Sequence, residues 1–441
     1  MAPMARAKRS SSRKRYAQVG IGGRSHMFTK AITETFKNHC QLVAFCDTNQ
    51  GRMDTRNKLL TAKGVKAVPT YRAHQFDRMI AETRPDVVVV TTVDATHSDY
   101  ICRAMELGCD VIPEKPMTTD EIRCRRILET VAKTKQRCRV TFNYRYAPPR
   151  SQIREMIMAG KIGEVLSVDF CWLLNTQHGA DYFRRWHRRR ENSGSLLVHK
   201  ATHHFDLVNW WIDDIPQEVF CHASLSYYTP ATAERMGLHD RAERCLVCPC
   251  KDRCQLTLDL AAKKPLKEMY LDNEQEDGYF RDRCVFSDQI NIWDNMSVTV
   301  RYRRGALLNY FLHAYSPYEG YKIAFNGTRG RIEHTACENT YVSGDGTVPG
   351  ELAKGNVSVT LIPEFSSPQT VEPRTGAGSH GGGDPVLLTD LFAPRPPKDP
   401  LRRKADQRDG AYSILVGVAA CRSIDSGQAV RIADLLAGAP I

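Results

Sequence analysis

The chain has 441 residues, long enough for two ordinary domains, and its 42% hydrophobic and 25% charged residues are typical of a globular protein. No apolar run approaches the roughly 18 residues that a membrane-spanning helix needs, and the basic first residues lack the apolar centre of a secretory signal. Residues 1–14 are predicted to form a basic, disordered arm that, with Arg15, supplies half of the formal charge of +12. We expect a solvated arm rather than a nucleic-acid or membrane contact.

A βαβ unit with a glycine-rich first turn is predicted after the arm. A buried strand over residues 16–20 leads into Gly20-Ile-Gly22-Gly23-Arg24-Ser25, and a helix follows over about 26–36. Glycines at such a turn let backbone N–H groups approach a pyrophosphate at the helix N-terminus. The third glycine position of this fingerprint holds Ser25, which is small enough for close packing of helix on strand.

Asp47 ends the second predicted strand, residues 41–46. A carboxylate at this place can bind both ribose hydroxyls and would repel a 2′-phosphate, so NAD is favoured over NADP. Arg52 lies close enough in sequence to keep NADP as an alternative. An α/β domain that binds no nucleotide is the other reading of this pattern.

The alternation of strands and helices continues to about residue 145. Strands are predicted over 86–92, 109–112 and 139–142, with helices between them and a helix over 120–133. The strand at 109–112 runs into Pro113-Glu114-Lys115-Pro116, which places Lys115 at the carboxyl end of a parallel strand, where such folds bind ligands. Pro116 fixes the chain there and is a candidate for a cis peptide bond.

These motifs, Gly20-x-Gly22, the acid Asp47, Thr92 with His97, and above all Glu114-Lys115-Pro116, resemble the glucose–fructose oxidoreductase and inositol dehydrogenase (Gfo/Idh/MocA) family. The resemblance implies an α/β protein with a Rossmann NAD-binding domain over residues 15–145. It also implies a C-terminal α/β domain over 146–441 with an open, mostly antiparallel sheet that serves the substrate site and a homo-oligomer, a dimer or tetramer. The cofactor-binding residues that it implies are Gly20, Gly22, Gly23, Arg24, Ser25, Asp47, Thr92, His97, Glu114, Lys115 and Asn143.

The second domain contains a histidine-rich segment from Gly194 to Asp206. A single helix is predicted over 198–211, which would put His199 and His203 on one face at a spacing of i, i+4. Two such histidines could also bind a metal, but no third ligand is evident nearby. The family usually has an aspartate and a histidine at these two positions, so the aspartate is replaced here by His199.

The resemblance implies an acid/base role for His203 and a polarising contact from Lys115 to the reacting oxygen. His199 would orient the substrate or relay a proton, and Lys200 is a competing candidate for that task. A histidine of near-neutral pKa suits proton transfer during oxidation of an alcohol.

Polar groups mixed with aromatic rings, as sugar recognition requires, follow at three places. They are the strand end at 143–146, the segment 177–188, and a glycine-rich loop over 376–384 from which His380 and Asp384 reach the site; an ordinary polar loop or linker is the alternative for the last two. The predicted substrate residues are Tyr144, Arg145, His178, Tyr182, Arg185, Trp186, Lys200 and His380.

A cysteine cluster lies in an insertion at about 240–290. Its spacing, Cys245-x-x-Cys248-x-Cys250-x-x-x-Cys254, with Cys284 further on, favours a structural zinc or iron–sulfur centre on Cys245, Cys248, Cys254 and Cys284. Packed or reactive thiols are the alternative. The other cysteines fall in predicted core strands and are expected to behave as small buried hydrophobes in a reducing, cytoplasmic compartment.

The sequence therefore predicts an NAD-dependent oxidoreductase that transfers a hydride to or from a carbon of a sugar, polyol or glycoside. One alternative is an NAD-dependent glycoside hydrolase or lyase that acts through transient oxidation of the sugar. Another is a non-enzymatic nucleotide-binding protein with the basic arm as its contact.

Later strands are predicted over 297–302, 306–314, 321–326 and 331–333, and a helix over 411–426 is expected to dock near the nucleotide domain.

Overall fold

The computed structural model describes residues 13–339, 342, 348, 350–351, 354–378 and 380–441. Most of the predicted basic arm lies outside these ranges, and its last residue, Lys14, already belongs to the first strand. Within the described part of the chain, no helix combines the length and the apolar character that crossing a bilayer requires.

The first domain is a parallel five-stranded sheet with helices on both faces. Its strand order is β3-β2-β1-β4-β5, and every neighbouring pair is parallel. All four residues of β4 are buried valines, as expected for a strand covered on both faces. The strands are β1 Lys14–Val19, β2 Cys40–Asp47, β3 Thr70–Arg72, β4 Val87–Val90 and β5 Asp110–Pro113. The helices are α1 Ser25–Lys30, α2 Gln50–Thr61, α3 Phe76–Thr83, α4 His97–Glu106 and α5 Glu121–Thr134.

The predicted strand over 139–142 is reduced to two residues, β6 Arg139–Val140, because the chain turns into a 3₁₀ helix at Asn143–Tyr146. β6 pairs antiparallel with β15, Ala405–Asp406, from near the C-terminus. The helix that follows, α14 Gln407–Ser426, packs against α5, which confirms that the predicted helix at 411–426 docks on the nucleotide domain. The first domain is thus completed by the far end of the chain.

The second domain is built on a nine-stranded sheet. Its order is β14-β13-β12-β11-β7-β10-β9-β8-β16, with β7 and β10 parallel and the other neighbours antiparallel, so the predicted mostly antiparallel sheet is confirmed. Alternating burial along β9 and β10 shows that helices cover one face only. The strands are β7 Val165–Asn175, β8 Pro216–Ser224, β9 Asn295–Tyr302, β10 Leu307–Ser316, β11 Glu319–Gly327, β12 Gly330–Asn339, β13 Val357–Pro363, β14 Gln369–Val371 and β16 Val430–Arg431.

The histidine-rich segment is divided between two helices, α9 Leu196–His199 and α10 Thr202–Ile212. The predicted single helix over 198–211 is wrong: α9 ends at His199, and α10 begins at Thr202. The N–H of Ala201 bonds to the carbonyl of Leu196, five residues back, which breaks the regular helical repeat between the two histidines. The remaining helices are α6 Pro148–Met158, α7 Thr176–Arg184, α8 Arg190–Ser193, α11 Pro230–Arg235, α12 Lys264–Met269, α13 Gly383–Phe392 and α15 Ile432–Leu436.

The cysteine-containing insertion connects β8 to β9. Its second half, residues 264–282, consists of α12, a 3₁₀ turn at Leu271–Glu276 and an extended end, and we call it the strap. The strap lies against α2 of the nucleotide domain, where Thr55 donates a hydrogen bond to the carbonyl of Glu268 (3.2 Å).

Candidate active site

The glycine turn after β1 is held tightly against the end of β4. Gly20 has a φ of +81°, and a Cβ there would lie 2.6 Å from the backbone of Thr91, so only glycine fits. The Thr91 hydroxyl donates to the Gly20 carbonyl at 2.6 Å. At the start of α1, the Ser25 hydroxyl donates to the carbonyl of Gly22 (2.6 Å), so the serine stabilises the turn at the third fingerprint position.

Asp47 lies beside this turn at the end of β2. Its buried carboxylate accepts the backbone N–H groups of Ile21 and of Asn49, the latter at 2.8 Å. Burial raises the pKa of Asp47, while these two N–H donors and Arg52 act in the opposite direction. The nearest guanidinium nitrogen of Arg52 is 4.0 Å from the carboxylate.

Lys115 projects from the end of β5 toward the histidine segment, and the Lys115–Pro116 peptide bond is cis, as considered from the sequence. Its ammonium group donates to the carbonyl oxygen of His199 at 3.4 Å. Burial lowers the pKa of Lys115 to about 8, against the opposing pull of the Glu114 and Asp94 carboxylates. The nucleotide domain therefore presents a buried amine to the second domain.

Glu114 and His97 hold this lysine segment in place. Glu114 accepts from Nε of Arg24 at 2.6 Å, so these two residues pair with each other. The buried ring of His97 has Nδ1 2.8 Å from the carbonyl oxygen of Pro116 and Nε2 3.2 Å from that of Thr92. His97 thus joins the ends of β4 and β5 through the backbone.

His199 pairs with a carboxylate that the sequence analysis missed. Its Nδ1 lies 2.5 Å from Oδ2 of Asp94, in the turn after β4. Burial raises the pKa of Asp94 and lowers that of His199, so both shifts act against the charged forms of the pair. The pair joins residues 105 apart in sequence, and no local pattern marks it.

His203 faces the same space from the first turn of α10. Its ring stacks on Tyr144 with centroids 4.0 Å apart, and its buried Nδ1 has no hydrogen-bond partner among the described residues. Burial lowers its pKa well below the usual value, and the charges of Lys115 and Lys200 add to this shift. The structure therefore brings a neutral His203 and a buried amine together.

Lys200 belongs to a buried chain of polar groups behind these residues. Its ammonium donates to the Tyr144 hydroxyl at 3.1 Å and lies 3.9 Å from Glu319. Glu319, at the start of β11, also accepts from His178 at 3.1 Å, and the other ring nitrogen of His178 lies 3.1 Å from the Tyr182 hydroxyl. Sequence reasoning missed Glu319, because its role depends on the pairing of β11 with β7.

The segment at 177–188 lies beside His199, and its core is α7. Trp186 stacks on His187 with centroids 3.6 Å apart, and the ring of His187 is 4.2 Å from that of His199. Arg185 pairs with Asp181 (3.1 Å), and its buried Nε has no hydrogen-bond partner among the described residues.

His380 also reaches the site, as predicted. Its ring lies 5.7 Å from that of Tyr144, and its Nδ1 is 2.9 Å from Asp384, which accepts from the Asn143 side chain at 2.5 Å. The predicted mobile loop is here a 3₁₀ turn, His380–Gly382, followed by α13. Ser379 of that prediction lies outside the described residues.

Arg145 does not join this group. Its buried guanidinium forms ion pairs with Asp206 (2.5 Å) and with Asp409 (3.0 Å), which fasten α10 and α14 to the domain boundary. The guanidinium is therefore occupied by protein carboxylates, whose charges offset the cost of burying it, and this geometry does not support the predicted substrate contact of Arg145.

Comparison with known proteins agrees with this architecture. Residues 14–142 match the family model described as "Oxidoreductase family, NAD-binding Rossmann fold", and residues 154–432 match "Oxidoreductase family, C-terminal alpha/beta domain". The chain belongs to the Gfo/Idh/MocA family. It is accordingly an NAD(P)-dependent oxidoreductase, and the resemblance and the two-domain fold predicted from the sequence are confirmed.

Relatives of this Gfo/Idh/MocA protein include oxidoreductases of bacteria. It is 38% identical to the putative oxidoreductase YteT of Bacillus subtilis over 427 residues, 94% of this chain and 97% of the relative. It is 31% identical to inositol 2-dehydrogenase of Rhizobium meliloti over 211 residues, 48% of this chain and 58% of that protein. The WlbA dehydrogenase of Bordetella pertussis, solved with NADH and UDP-GlcNAcA, shares the fold with a TM-score of 0.62 and 16% identity, over 95% of this chain and 99% of that one.

The cysteine cluster of this family member does not form the predicted metal centre. Among the residues that the structure describes, no group of three or more His, Cys, Asp or Glu side chains could hold a metal ion. Cys245, Cys248, Cys250, Cys254 and Cys284 line a cavity of about 20 Å³ as free thiols. Separate protein donors engage them: Arg184 approaches Cys245 at 3.8 Å, and the Ala242 N–H approaches Cys248 at 3.4 Å.

Proposed function

We propose that this protein transfers a hydride between NAD and a hydroxyl-bearing carbon of a sugar, polyol or glycoside. The observation that carries the proposal is the meeting of Lys115, His203 and the His199–Asp94 pair at the carboxyl edge of a Rossmann sheet. Each of the three groups can bind or move a proton on a substrate oxygen. Crevices at this edge are where α/β sheets bind their ligands.

The residues around the crevice fit NAD. Asp47 lies where a carboxylate can bind ribose hydroxyls, and the glycine turn leads directly into α1. The N–H of Gly23 in this turn is bonded to the Tyr270 hydroxyl, which a pyrophosphate would replace. At the far end, the buried Asn143 Oδ1 has no hydrogen-bond partner within the described part of the chain. When bound, NAD would supply the hydride acceptor or donor. The side chains of the protein would bind the substrate, move its proton and stabilise the charge on its oxygen.

The proton on the substrate hydroxyl is assigned to His203. A neutral imidazole can accept that proton during oxidation and return it during reduction, and burial keeps His203 neutral. Protonated Lys115 stabilises the negative charge that develops on the same oxygen. Because this amine is buried, its electrostatic effect on that oxygen is stronger than it would be in water.

The His199–Asp94 pair takes the place of the aspartate that the family usually carries at position 199. Asp94 fixes the ring orientation and tautomer of His199 through the 2.5 Å contact at Nδ1. Nε2, the other ring nitrogen of His199, would then bond to a substrate hydroxyl or relay a proton. A carboxylate from the nucleotide domain, acting through a histidine, thereby serves a task that the family usually gives to the second domain.

A carbohydrate substrate is supported by the walls of the site. The rings of Tyr182 and Trp186 lie beside His199, and His178 and Lys200 provide hydrogen-bonding groups already paired with buried Glu319. Tyr144 is stacked against His203 and Trp172 and supports this wall from behind. Sugars require this mixture, with rings for C–H faces and fixed donors for hydroxyls. The names of inositol 2-dehydrogenase and of the WlbA complex with UDP-GlcNAcA agree with this class.

The test is a panel of sugars, polyols and glycosides incubated with the protein and NAD⁺. We expect NADH to form with at least one of them in the wild type and not in Lys115→Ala. Release of an aglycone without net NADH would instead support the glycoside hydrolase alternative, which the dehydrogenase relatives do not favour. The absence of either reaction in a protein that still binds NAD would contradict the proposal.

We also propose a cytoplasmic homo-oligomer. The uncovered face of the nine-stranded sheet carries Leu307 and Phe311, which are 47% and 37% exposed. Apolar side chains on an open sheet face favour association with a second copy. Light scattering of the purified protein tests this: a monomer at micromolar concentration would contradict it.

A further inference from the structure

The strap, residues 264–282, covers the nucleotide side of the crevice. The Tyr270 hydroxyl accepts the backbone N–H of Gly23 at 2.8 Å, within the glycine turn itself. Further along, the carbonyl of Asn273 accepts from the Asn49 side chain at 2.8 Å. A Cβ at Gly51 would lie 1.8 Å from the Asn273 side chain, so this close approach requires glycine. The strap thus follows the nucleotide domain from the glycine turn to the start of α2.

Arg52 of α2 is enclosed by the strap. Its two terminal nitrogens contact the Asp277 carboxylate at 2.7 and 3.2 Å, a bidentate ion pair. Its guanidinium carbon lies 5.5 Å from the ring centres of Tyr270 and of Tyr279. Only 8% of Arg52 is exposed. Its charge is therefore already neutralised by a carboxylate, and two aromatic rings fix its position.

The position of Arg52 beside Asp47 bears on which nucleotide, NAD or NADP, can bind. Its nearest nitrogen is 4.0 Å from Asp47, the carboxylate assigned to the ribose hydroxyls. NADP carries a phosphate on the 2′-hydroxyl, and an arginine at this position is what accommodates that phosphate in NADP-binding Rossmann domains. A 2′-phosphate here would have to displace Asp277 from Arg52 and would face the negative charges of both Asp47 and Asp277.

We propose that Asp277 is a specificity-determining residue, which excludes NADP by holding Arg52 in an ion pair with the strap. The inference rests on the proposed binding of NAD at Asp47. It assigns cofactor selectivity to a segment that lies about 230 residues from the nucleotide fingerprint in sequence, counted from Asp47 to Asp277. Without Asp277, the same arginine becomes a ligand for a 2′-phosphate.

The experiment compares full-length wild type with Asp277→Asn, which keeps the side-chain shape and removes the charge. NADH and NADPH are titrated separately, and their fluorescence gives both Kd values without any substrate. We expect the ratio of NADPH affinity to NADH affinity to rise about tenfold, the equivalent of one charge-assisted contact. Adding Arg52→Met to Asp277→Asn should return NADPH affinity to the weak wild-type value.

Glu276→Gln is the matched control. Glu276 is the neighbouring strap carboxylate, and it pairs with Arg72 at 2.7 Å rather than with Arg52. Loosening the strap through this pair should weaken both nucleotides alike and leave the ratio unchanged. A shift of the ratio in Glu276→Gln as large as in Asp277→Asn would overturn the assignment.

A second, independent variant guards against misfolding of Asp277→Asn. Arg52→Met alone removes the cation that neutralises Asp277 and leaves two carboxylates near the ribose site, so the ratio of NADPH affinity to NADH affinity should not rise. A rise of this ratio in Arg52→Met would show that Arg52 is not the ligand that a 2′-phosphate needs and would overturn the inference. An unchanged ratio in folded Asp277→Asn overturns it alone, whereas a wild type that binds neither nucleotide overturns the proposed function as well.

Discussion

The two walls of the crevice differ in how their polar groups are satisfied. On the nucleotide wall, formed by the ends of β1, β2, β4 and β5, Thr91, Asp47 and His97 all have protein partners. On the histidine wall, formed by α9, α10 and the segment 177–188, buried nitrogens of His187 and His203 have no partner among the described residues. An unpaired buried polar atom is costly, so these two ring nitrogens are candidates for hydrogen bonds to a ligand.

This difference teaches that the two walls perform separable tasks. The nucleotide wall is a preformed surface whose hydrogen bonds fix the glycine turn, and the histidine wall holds neutral groups poised beside a buried amine. Changes on the histidine wall should therefore reduce turnover and spare nucleotide affinity. Lys115 extends from the end of β5 to the carbonyl of His199, so it acts together with the histidine wall. Changes at the other residues of the nucleotide wall should alter affinity and selectivity and spare turnover at saturation.

The largest expected effect is that of Lys115→Ala. Loss of the ammonium beside the reacting oxygen should lower turnover about 10³-fold while the Kd for NADH changes little. Steady-state kinetics and NADH fluorescence measure the two quantities. Lys133→Ala, on the exposed side of α5, is the control and should behave as wild type. Undiminished turnover in Lys115→Ala would reject the role of this lysine.

His203→Asn should lower turnover about 100-fold, because an amide can neither accept nor return the proton. The same change should leave NADH affinity within about threefold of wild type. The assignment of separate tasks to the two walls is contradicted if His203→Asn weakens NADH binding as strongly as it slows turnover.

Asp47→Ala tests whether the nucleotide wall controls affinity and selectivity. Loss of the ribose carboxylate should weaken NADH binding about tenfold and reduce the preference for NADH over NADPH, while turnover at saturating NAD⁺ stays near wild type. Fluorescence titrations with both nucleotides test this. The ribose assignment is contradicted by an unaltered preference.

The smallest predicted effect is a change of rate with pH. The pKa of Lys115 is lowered to about 8, so its ammonium is intact well below that pH and is lost above it. For alcohol oxidation, which needs neutral His203 and protonated Lys115, kcat/KM should be level below the pKa of Lys115, fall to about half at that pKa, and decline further beyond it. Lys115→Arg should move this decline beyond the measurable range, and a decline that persists there would assign it to another group.

The nucleotide domain could be predicted because its signals are local. Glycines at one turn, valine-rich β4 and the Glu114-Lys115-Pro116 motif each stand in a continuous stretch, and the periodicity of buried strands fixes their order. Even there, the partner of β6 was missed, since β15 lies more than 260 residues further along the chain. Local pattern cannot report a pairing of that kind.

The histidine wall was predicted by residue type but not by geometry. His199 and His203 were identified, yet the break between α9 and α10 depends on one shifted backbone hydrogen bond. Asp94 and Glu319 were missed because each acts through a partner from a different part of the chain. The cysteine spacing predicted that the thiols lie near one another, and the five cysteines do line one cavity. Spacing does not report the distances between sulfurs that a metal ion requires, and no group among the described residues meets them.

The pairing of β6 with β15 bears on how the protein folds during synthesis. Residues 14–142 leave the ribosome long before Ala405 and α14, so the nucleotide lobe stays incomplete until nearly the whole chain has emerged. Arg145 meanwhile lacks Asp409, one of its two carboxylate partners. The nucleotide domain is therefore expected to need chaperone protection during synthesis. Truncation before residue 405 should yield an aggregating fragment rather than an independent NAD-binding domain.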